Sequence, residues 1–238
     1  MYRENPKTKG SGIVAIIPQT GICPNMCEDC FFQSGRSYLE PLDKNLPNIP
    51  DKVLPYQVVR VNDGNDSNVD IENVIETSKK YSMKFYNTAI PELDKFDAPV
   101  VLTINPGPIT NKDFHRIIGK NLMFVRFRTN TWNVPLAKAA VQYYSDREVP
   151  IVLTFMAYFD TAEKIPSIHK KNYAFRKRTL NSYYAITTHA WEKVMKNFKY
   201  NKWVSSCGKI EGEKGTTSCR FCGNCLREYF ATMERIGE

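Results

Sequence analysis

Seven cysteines stand in two groups, three near the start of the 238-residue chain and four near its end. Residues 21–32 read GICPNMCEDCFF, so Cys23, Cys27 and Cys30 follow the spacing C-x3-C-x2-C. Three thiolates this close together can hold three corners of a cubane 4Fe-4S cluster and leave the fourth iron without a protein ligand. An open metal position is a place for chemistry, by the logic that separates catalytic from structural zinc sites. A three-cysteine zinc site completed by a distant histidine is the other reading of this group, although zinc modules more often use paired C-x2-C steps.

The second group, Cys207, Cys219, Cys222 and Cys225, has the spacing C-x11-C-x2-C-x2-C. Four thiolates close a metal site completely. The consecutive C-x2-C-x2-C resembles the ferredoxin run and favours a second 4Fe-4S cluster, with zinc as the alternative. Residues 1–10 are polar and charged, and no run of about 18 apolar residues occurs, which predicts a cytoplasmic protein that does not enter a membrane. Disulfides are rare in that compartment, so grouped cysteines there imply metal binding or catalysis.

These loops need elements to hold them. Between residues 12 and 156 a short apolar run, a polar turn and a helix-compatible stretch recur. The apolar runs are residues 12–17, 56–61, 83–86, 100–104, 122–127 and 151–156, mostly continuous rather than alternating, as in parallel strands covered on both faces. Helices are predicted at 69–81, 111–120 and 134–145, the first after a capping Asp66-Ser67-Asn68 cluster, the third with Pro135 near its start. Six βα units in series predict an α/β domain with a parallel sheet, either doubly wound or a partial barrel. Ligands then collect at the loops after the strands' carboxyl ends, here residues 18–33, 62–68, 87–89, 105–108, 128–133 and 157–160. After Asp160 the pattern changes to a basic, aromatic-rich segment, a predicted helix at 185–198 and the cysteine-rich tail. The expected division is therefore a core of residues 1–160 and an extension of residues 161–238.

In both cysteine spacing and position after the first strand, the chain resembles the radical S-adenosylmethionine (radical SAM) superfamily. The resemblance implies a partial, TIM-like (β/α)6 barrel with a C-terminal cysteine-rich extension. It implies that Cys23, Cys27 and Cys30 hold a 4Fe-4S cluster whose open iron binds S-adenosylmethionine. An electron from the cluster then breaks the sulfonium bond, and a 5'-deoxyadenosyl radical abstracts hydrogen from substrate. It also implies an electron donor such as flavodoxin or ferredoxin, and an auxiliary 4Fe-4S cluster at the C-terminal cysteines. The family usually carries an aromatic residue just before the third cysteine; here that position is Asp29, with Phe31 or Phe32 left to pack near the adenine. Where the family places a Gly-Gly-Glu-like motif that receives the ammonium, this chain has Asn62-Asp63-Gly64-Asn65-Asp66.

The remaining cofactor contacts are sought at strand ends. Thr103 and Asn105 offer polar groups to a ribose. Arg126 and Arg128 alternate with Phe127 and so face one side of their strand; Arg128, nearer the strand end, is the expected partner of the methionine carboxylate. Phe155 and Met156 are candidates to flank the adenine. His115, His169 and His189 have no ligand-like spacing.

The net charge of +8 favours acidic partners. Residues 169–178 (HKKNYAFRKR) and 196–203 (KNFKYNKW) interleave cations with aromatic rings, which suits single-stranded nucleic acid or an acidic peptide. Two functions follow. One is a radical enzyme acting on an unknown substrate, a peptide or protein on one side or a nucleic acid or nucleotide on the other. The alternative is a non-catalytic, zinc-stabilised nucleic-acid-binding protein.

Overall fold

The apolar runs become consecutive strands in the computed structural model, which describes residues 1–25, 27, 30, 32, 37–105, 118–159, 162–177, 182–208 and 219–237. They are β1 (Ile13–Ile16), β2 (Val58–Val61), β3 (Lys84–Thr88), β4 (Val100–Ile104), β5 (Leu122–Thr129) and β6 (Ile151–Phe155). Four more follow: β7 (Tyr158–Phe159), β8 (Tyr173–Arg176), β9 (Tyr183–Ile186) and β10 (Val204–Ser206). The main sheet runs β1-β2-β3-β4-β5-β6-β10, with every pairing parallel. Sequence order equals spatial order, so no reversal of winding exists and the doubly wound alternative is excluded. The sheet curls into a half-barrel. Residues assigned by sequence to the extension thus supply its last strand, β10.

Parallel strands need crossovers that cover the sheet. The helices are α1 (Leu42–Asn45), α2 (Ile71–Ser78), α3 (Val134–Ser145), α4 (Thr188–Met195), α5 (Cys219–Cys222) and α6 (Asn224–Gly237). On the convex face, Val59, Val61, Tyr86, Leu102, Val125, Phe127 and Leu153 pack against Val74 of α2, the α3 stripe Ala137, Ala140, Val141 and Tyr144, and Val194 of α4. The α3 stripe repeats at three- and four-residue steps, which is why that helix is legible in sequence.

The concave face is covered differently. Ile13, Val58, Phe85, Val101, Phe124 and Val152 form an apolar floor, and α6 lays Cys225, Leu226 and Tyr229 onto it. The Tyr229 ring lies 6.5 Å from that of Phe85, and Arg235 donates to the Leu122 carbonyl at 2.8 Å. Gly223, at φ 61, turns the chain between α5 and α6 in a conformation that L side chains resist.

A bulge in β5 decides which side chains face inward. Val100 pairs with Leu122 but Val101 pairs with Phe124, so Met123 is an extra residue. Leu122 packs on the convex core and Phe124 on the concave one, although both are even-numbered. From Phe124 onward the restored alternation turns Arg126 and Arg128 into the concavity.

Three helix boundaries differ from expectation. The first helix covers Ile71–Ser78 rather than 69–81, because Asp70 takes a left-handed conformation, φ 55, before it. Ala185 and Ile186 belong to β9, and the helix starts only after Thr187, whose side chain caps it by accepting from the Ala190 N–H. The helix predicted at 111–120 falls mostly outside the described residues, and Ile118, Gly119 and Lys120 are not helical. Strands β7, β9 and β8 form a separate antiparallel sheet beyond the carboxyl end of β6. No helix among the described residues is long and apolar enough to cross a membrane.

Removing the aromatic plug of the concave face tests its contribution. Tyr229→Ala should lower the unfolding free energy by about 3–5 kcal/mol, measured as a reduced urea midpoint at unchanged slope.

Candidate functional site

Above its apolar floor the concave face turns polar. Arg60, Asn87, Thr103 and Arg126 project from β2, β3, β4 and β5, with Arg128 and Asn105 one step nearer the carboxyl ends. The N-terminal cysteines sit in the loop after β1: Cys23 is buried, Cys27 and Cys30 are half-buried, and all seven cysteines of the chain remain thiols. Burial raises the Cys23 pKa, while the Asn25 and Asp66 backbone N–H groups hydrogen-bond to its sulfur and act in the opposite direction. Burial, then Cys30, raise Cys27, and the Arg128 guanidinium offsets part of that rise. The Cys30 N–H donates to the Cys27 carbonyl at 3.1 Å.

One carboxylate ties this loop to the sheet. Asp66, 4% exposed, accepts from the Asn25 side chain at 2.9 Å and the Asn68 N–H at 2.9 Å. It also accepts from the Thr88 hydroxyl at 2.7 Å and the Ala89 N–H at 2.7 Å. Asn25 lies between Cys23 and Cys27, so the cysteine loop, the loop after β2 and the end of β3 converge on one side chain. The Gln19 side chain adds donations to the carbonyls of Asp66 and Val69, at 3.0 and 2.8 Å. The Asp66-Ser67-Asn68 cluster is therefore a crosslink between loops rather than only a helix cap.

The neighbouring turn splits its tasks. Asn62, at φ 64, donates to Ser67, and its buried side-chain oxygen finds no donor among the described residues. Asp63 turns away from the cysteine loop to pair with Arg60 and accept from Asn5. Gly64 lies against the ring of Phe32: a Cβ there would stand 2.0 Å from it. Phe32 is itself buried with Ile17, Leu39, Leu42 and Leu46, so its ring serves the packing of the loop. Asn65 donates to the Gly21 carbonyl at 3.0 Å, a second tie to the cysteine loop.

The two arginines on β5 serve different levels. Arg128 donates to the Asn105 side chain at 3.1 Å and acts electrostatically on Cys27. Arg126 donates to Asn87 at 3.1 Å and Thr103 at 3.5 Å, and acts on Cys225. Phe155 packs on the convex core, whereas Met156 lies with Trp132, Tyr158 and Tyr173 under the small antiparallel sheet. Asp29, Phe31, Pro108 and His115 lie outside the described residues. His169 hydrogen-bonds Thr131 at 2.9 Å, and Lys170, Lys171, Arg176 and Lys177 are exposed.

Lower in the same concavity, Cys207, Cys219 and Cys225 act electrostatically on one another. The Cys207 N–H donates to the Leu153 carbonyl at 2.9 Å and the Cys219 N–H to the Lys7 carbonyl at 3.2 Å, so β6 and the N-terminal segment fix two of them. Cys225 enters from α6, and Cys222 is half-buried at the end of α5. Burial raises the Cys219 pKa, with Arg60 opposing it and Cys207 adding to it. Burial pushes Cys225 up to about 12, against the pull of Arg126 and Arg60. Among the described residues no three His, Cys, Asp or Glu side chains are already drawn together as a metal-ligand set. Sequence reasoning passed over Arg60 as a site residue and placed Asp66 in the motif-like stretch and the helix cap without its role as a crosslink: each acts through partners that local spacing does not reveal.

No protein-family model, curated protein or solved structure matches the chain.

Two outcomes test this geometry. Asp66→Ala, which strands buried donors, should cost roughly 2 kcal/mol or more in urea unfolding. In metal-free protein at pH 8, Cys225 should react with iodoacetamide at least about tenfold more slowly than in the unfolded chain, because its buried thiol stays protonated; mass spectrometry of the modified peptides reads the rate.

Proposed function

We propose that the chain is a radical S-adenosylmethionine enzyme in which Cys23, Cys27 and Cys30 hold a 4Fe-4S cluster with one iron left for the cofactor. In this reading strands β1 to β6 of the half-barrel, within residues 1–160, form a partial, TIM-like (β/α)6 barrel, to which β10 of the extension adds a seventh strand. Residues 161–238 are an extension whose Cys207, Cys219, Cys222 and Cys225 hold an auxiliary 4Fe-4S cluster. The observation that carries it is the C-x3-C-x2-C loop at the carboxyl end of the first of six sequentially ordered parallel strands, with the Arg128 guanidinium acting electrostatically on Cys27. Carboxyl ends of parallel strands are where ligands bind in α/β folds.

The donor chemistry suits the cluster. Thiols are the ligands iron-sulfur centres use, and backbone N–H groups already aim at the Cys23 sulfur. When bound, the cluster would supply one electron to the sulfonium of S-adenosylmethionine, releasing methionine and leaving a 5'-deoxyadenosyl radical to take a hydrogen atom from substrate.

The chain's own residues do the positioning. Arg128, held by Asn105, would grip the methionine carboxylate, since a guanidinium matches a carboxylate bidentately. The unmatched Asn62 oxygen is an acceptor for the ammonium. Asp66 keeps the cysteine loop in register with the strands that present these groups. An electron donor such as flavodoxin or ferredoxin would reduce the protein. The exposed cations at residues 170–177 favour an acidic substrate, a peptide or a nucleic acid.

Anaerobic reconstitution should yield brown protein with about eight irons per chain, and the dithionite-reduced protein should convert S-adenosylmethionine to 5'-deoxyadenosine. Serine at positions 23, 27 and 30 should remove about half the iron and all nucleoside release. Arg128→Leu should keep the iron but weaken cofactor binding by about ten- to a hundredfold. Colourless protein with stoichiometric zinc, salt-sensitive RNA or DNA binding and no nucleoside release would overturn the proposal.

A further inference from the structure

Arg60 lies deep in the concavity, on β2, in the row that pairs it with Ala15 of β1 and Phe85 of β3. It is 8% exposed. One terminal nitrogen pairs with Asp63, but its Nε–H meets no acceptor among the described residues. A buried donor left unmatched costs about 1–3 kcal/mol, more on a charged group, and native proteins seldom tolerate one without a use for it. Burial works against the Arg60 charge, yet Asp63 and then Cys219, Cys225 and Cys207 together hold its pKa above the ordinary arginine range.

A second guanidinium acts on one of these cysteines: Arg126, on β5 and braced by Asn87 and Thr103, lowers the Cys225 pKa as Arg60 does. Asp63 is ion-paired with Arg60, and Arg126 is held by the neutral side chains of Asn87 and Thr103. Asp63 balances one of the two cations, so among the described residues, with neutral thiols, the pocket holds surplus positive charge and an idle donor. Both are matched by an anionic group that carries sulfur acceptors. A wholly structural site has no oxidation state for such charges to bias, whereas the potential of an iron-sulfur cluster responds to nearby charge and to hydrogen bonds on its sulfurs.

We infer that Arg60 donates its Nε–H to a sulfur of the C-terminal cluster and, with Arg126 as the second cation, stabilises that cluster's reduced form. The second site then accepts an electron rather than merely clipping the tail. The inference rests on the reading that Cys207, Cys219, Cys222 and Cys225 hold iron and sulfide. The step it implies is simple: one electron passes from a one-electron donor protein to the cluster, the donor is oxidised, the cluster is reduced, and no proton moves. Arg60 is a positioning and tuning residue.

The test uses the full chain, anaerobically reconstituted with iron and sulfide, carrying serine at positions 23, 27 and 30 so that only the C-terminal site titrates. The midpoint of that site is followed by electron paramagnetic resonance during redox titration. Arg60→Met should lower the reduced-to-oxidised ratio at fixed potential at least tenfold, equivalent to about 59 mV for one electron. Arg60→Lys, which keeps the charge but lacks the Nε–H, should fall between. If Arg60→Met fails to load about four irons, Arg60→Lys and Arg126→Met carry the comparison. Unchanged midpoints in iron-loaded variants overturn the inference while leaving the cluster reading intact. A parent protein that takes up zinc but no iron overturns the cluster reading and this inference with it.

Discussion

Four hydrogen bonds to the Asp66 carboxylate join the loop after β1, the turn after β2 and the end of β3 at one side chain. A buried carboxylate is stable only when its oxygens are matched, so the side chain acts as a template that each donor must reach. The loop after β1, the turn after β2 and the end of β3 can satisfy it only in one arrangement. In that arrangement Asn25 is fixed between Cys23 and Cys27, and the Asp66 backbone N–H points at the Cys23 sulfur. A loop that carries chemistry must be held in place by the scaffold beneath it. Here a charge does what packing alone does less specifically, with Phe32 lying against Gly64 as the apolar half of the same clamp.

The curled sheet divides its inner surface by height. Near the strand starts, apolar side chains and α6 close the concavity. Near the carboxyl ends, arginines, asparagines and a threonine line it. The change occurs because strand alternation delivers every second residue to the interior, and those residues switch from Val, Phe and Ile to Arg, Asn and Thr toward the carboxyl ends. Both cysteine groups border the polar band. Arg128 addresses the upper one; Arg126 and Arg60 address the lower. Cations beside thiols favour whatever state places negative charge on sulfur, which couples metal binding at each level to the frame of the barrel.

The C-terminal helix gains its position from both partners. Its Tyr229 packs on the apolar floor while Cys225 lies at the boundary with the polar band. The N-terminal segment crosses the same region, with Lys7 receiving the Cys219 N–H and Asn5 reaching Asp63. The two chain ends thus build one wall of the lower site together, although they are more than two hundred residues apart in sequence.

The sequence by itself determined the six core strands and that they run parallel, because continuous β-branched and aromatic runs separated by helical stretches admit few other folds. It determined helix α3 to the residue, since Pro135 and the apolar stripe bracket it. The spacing of both cysteine groups was equally plain. Only the tertiary structure decided that the sheet is singly wound, because the side from which each crossover returns leaves no mark in local periodicity. It alone decided that the extra residue Met123 turns Arg126 and Arg128 inward, that β9 claims Ala185 and Ile186 from a predicted helix, and that Phe155 faces away from the concavity. The crosslinking role of Asp66 and the pocket placement of Arg60 were decided by the tertiary structure for the same physical reason. Their roles depend on partners brought close by the fold, and burial turns an ordinary charged side chain into a constraint only once its neighbours are in place.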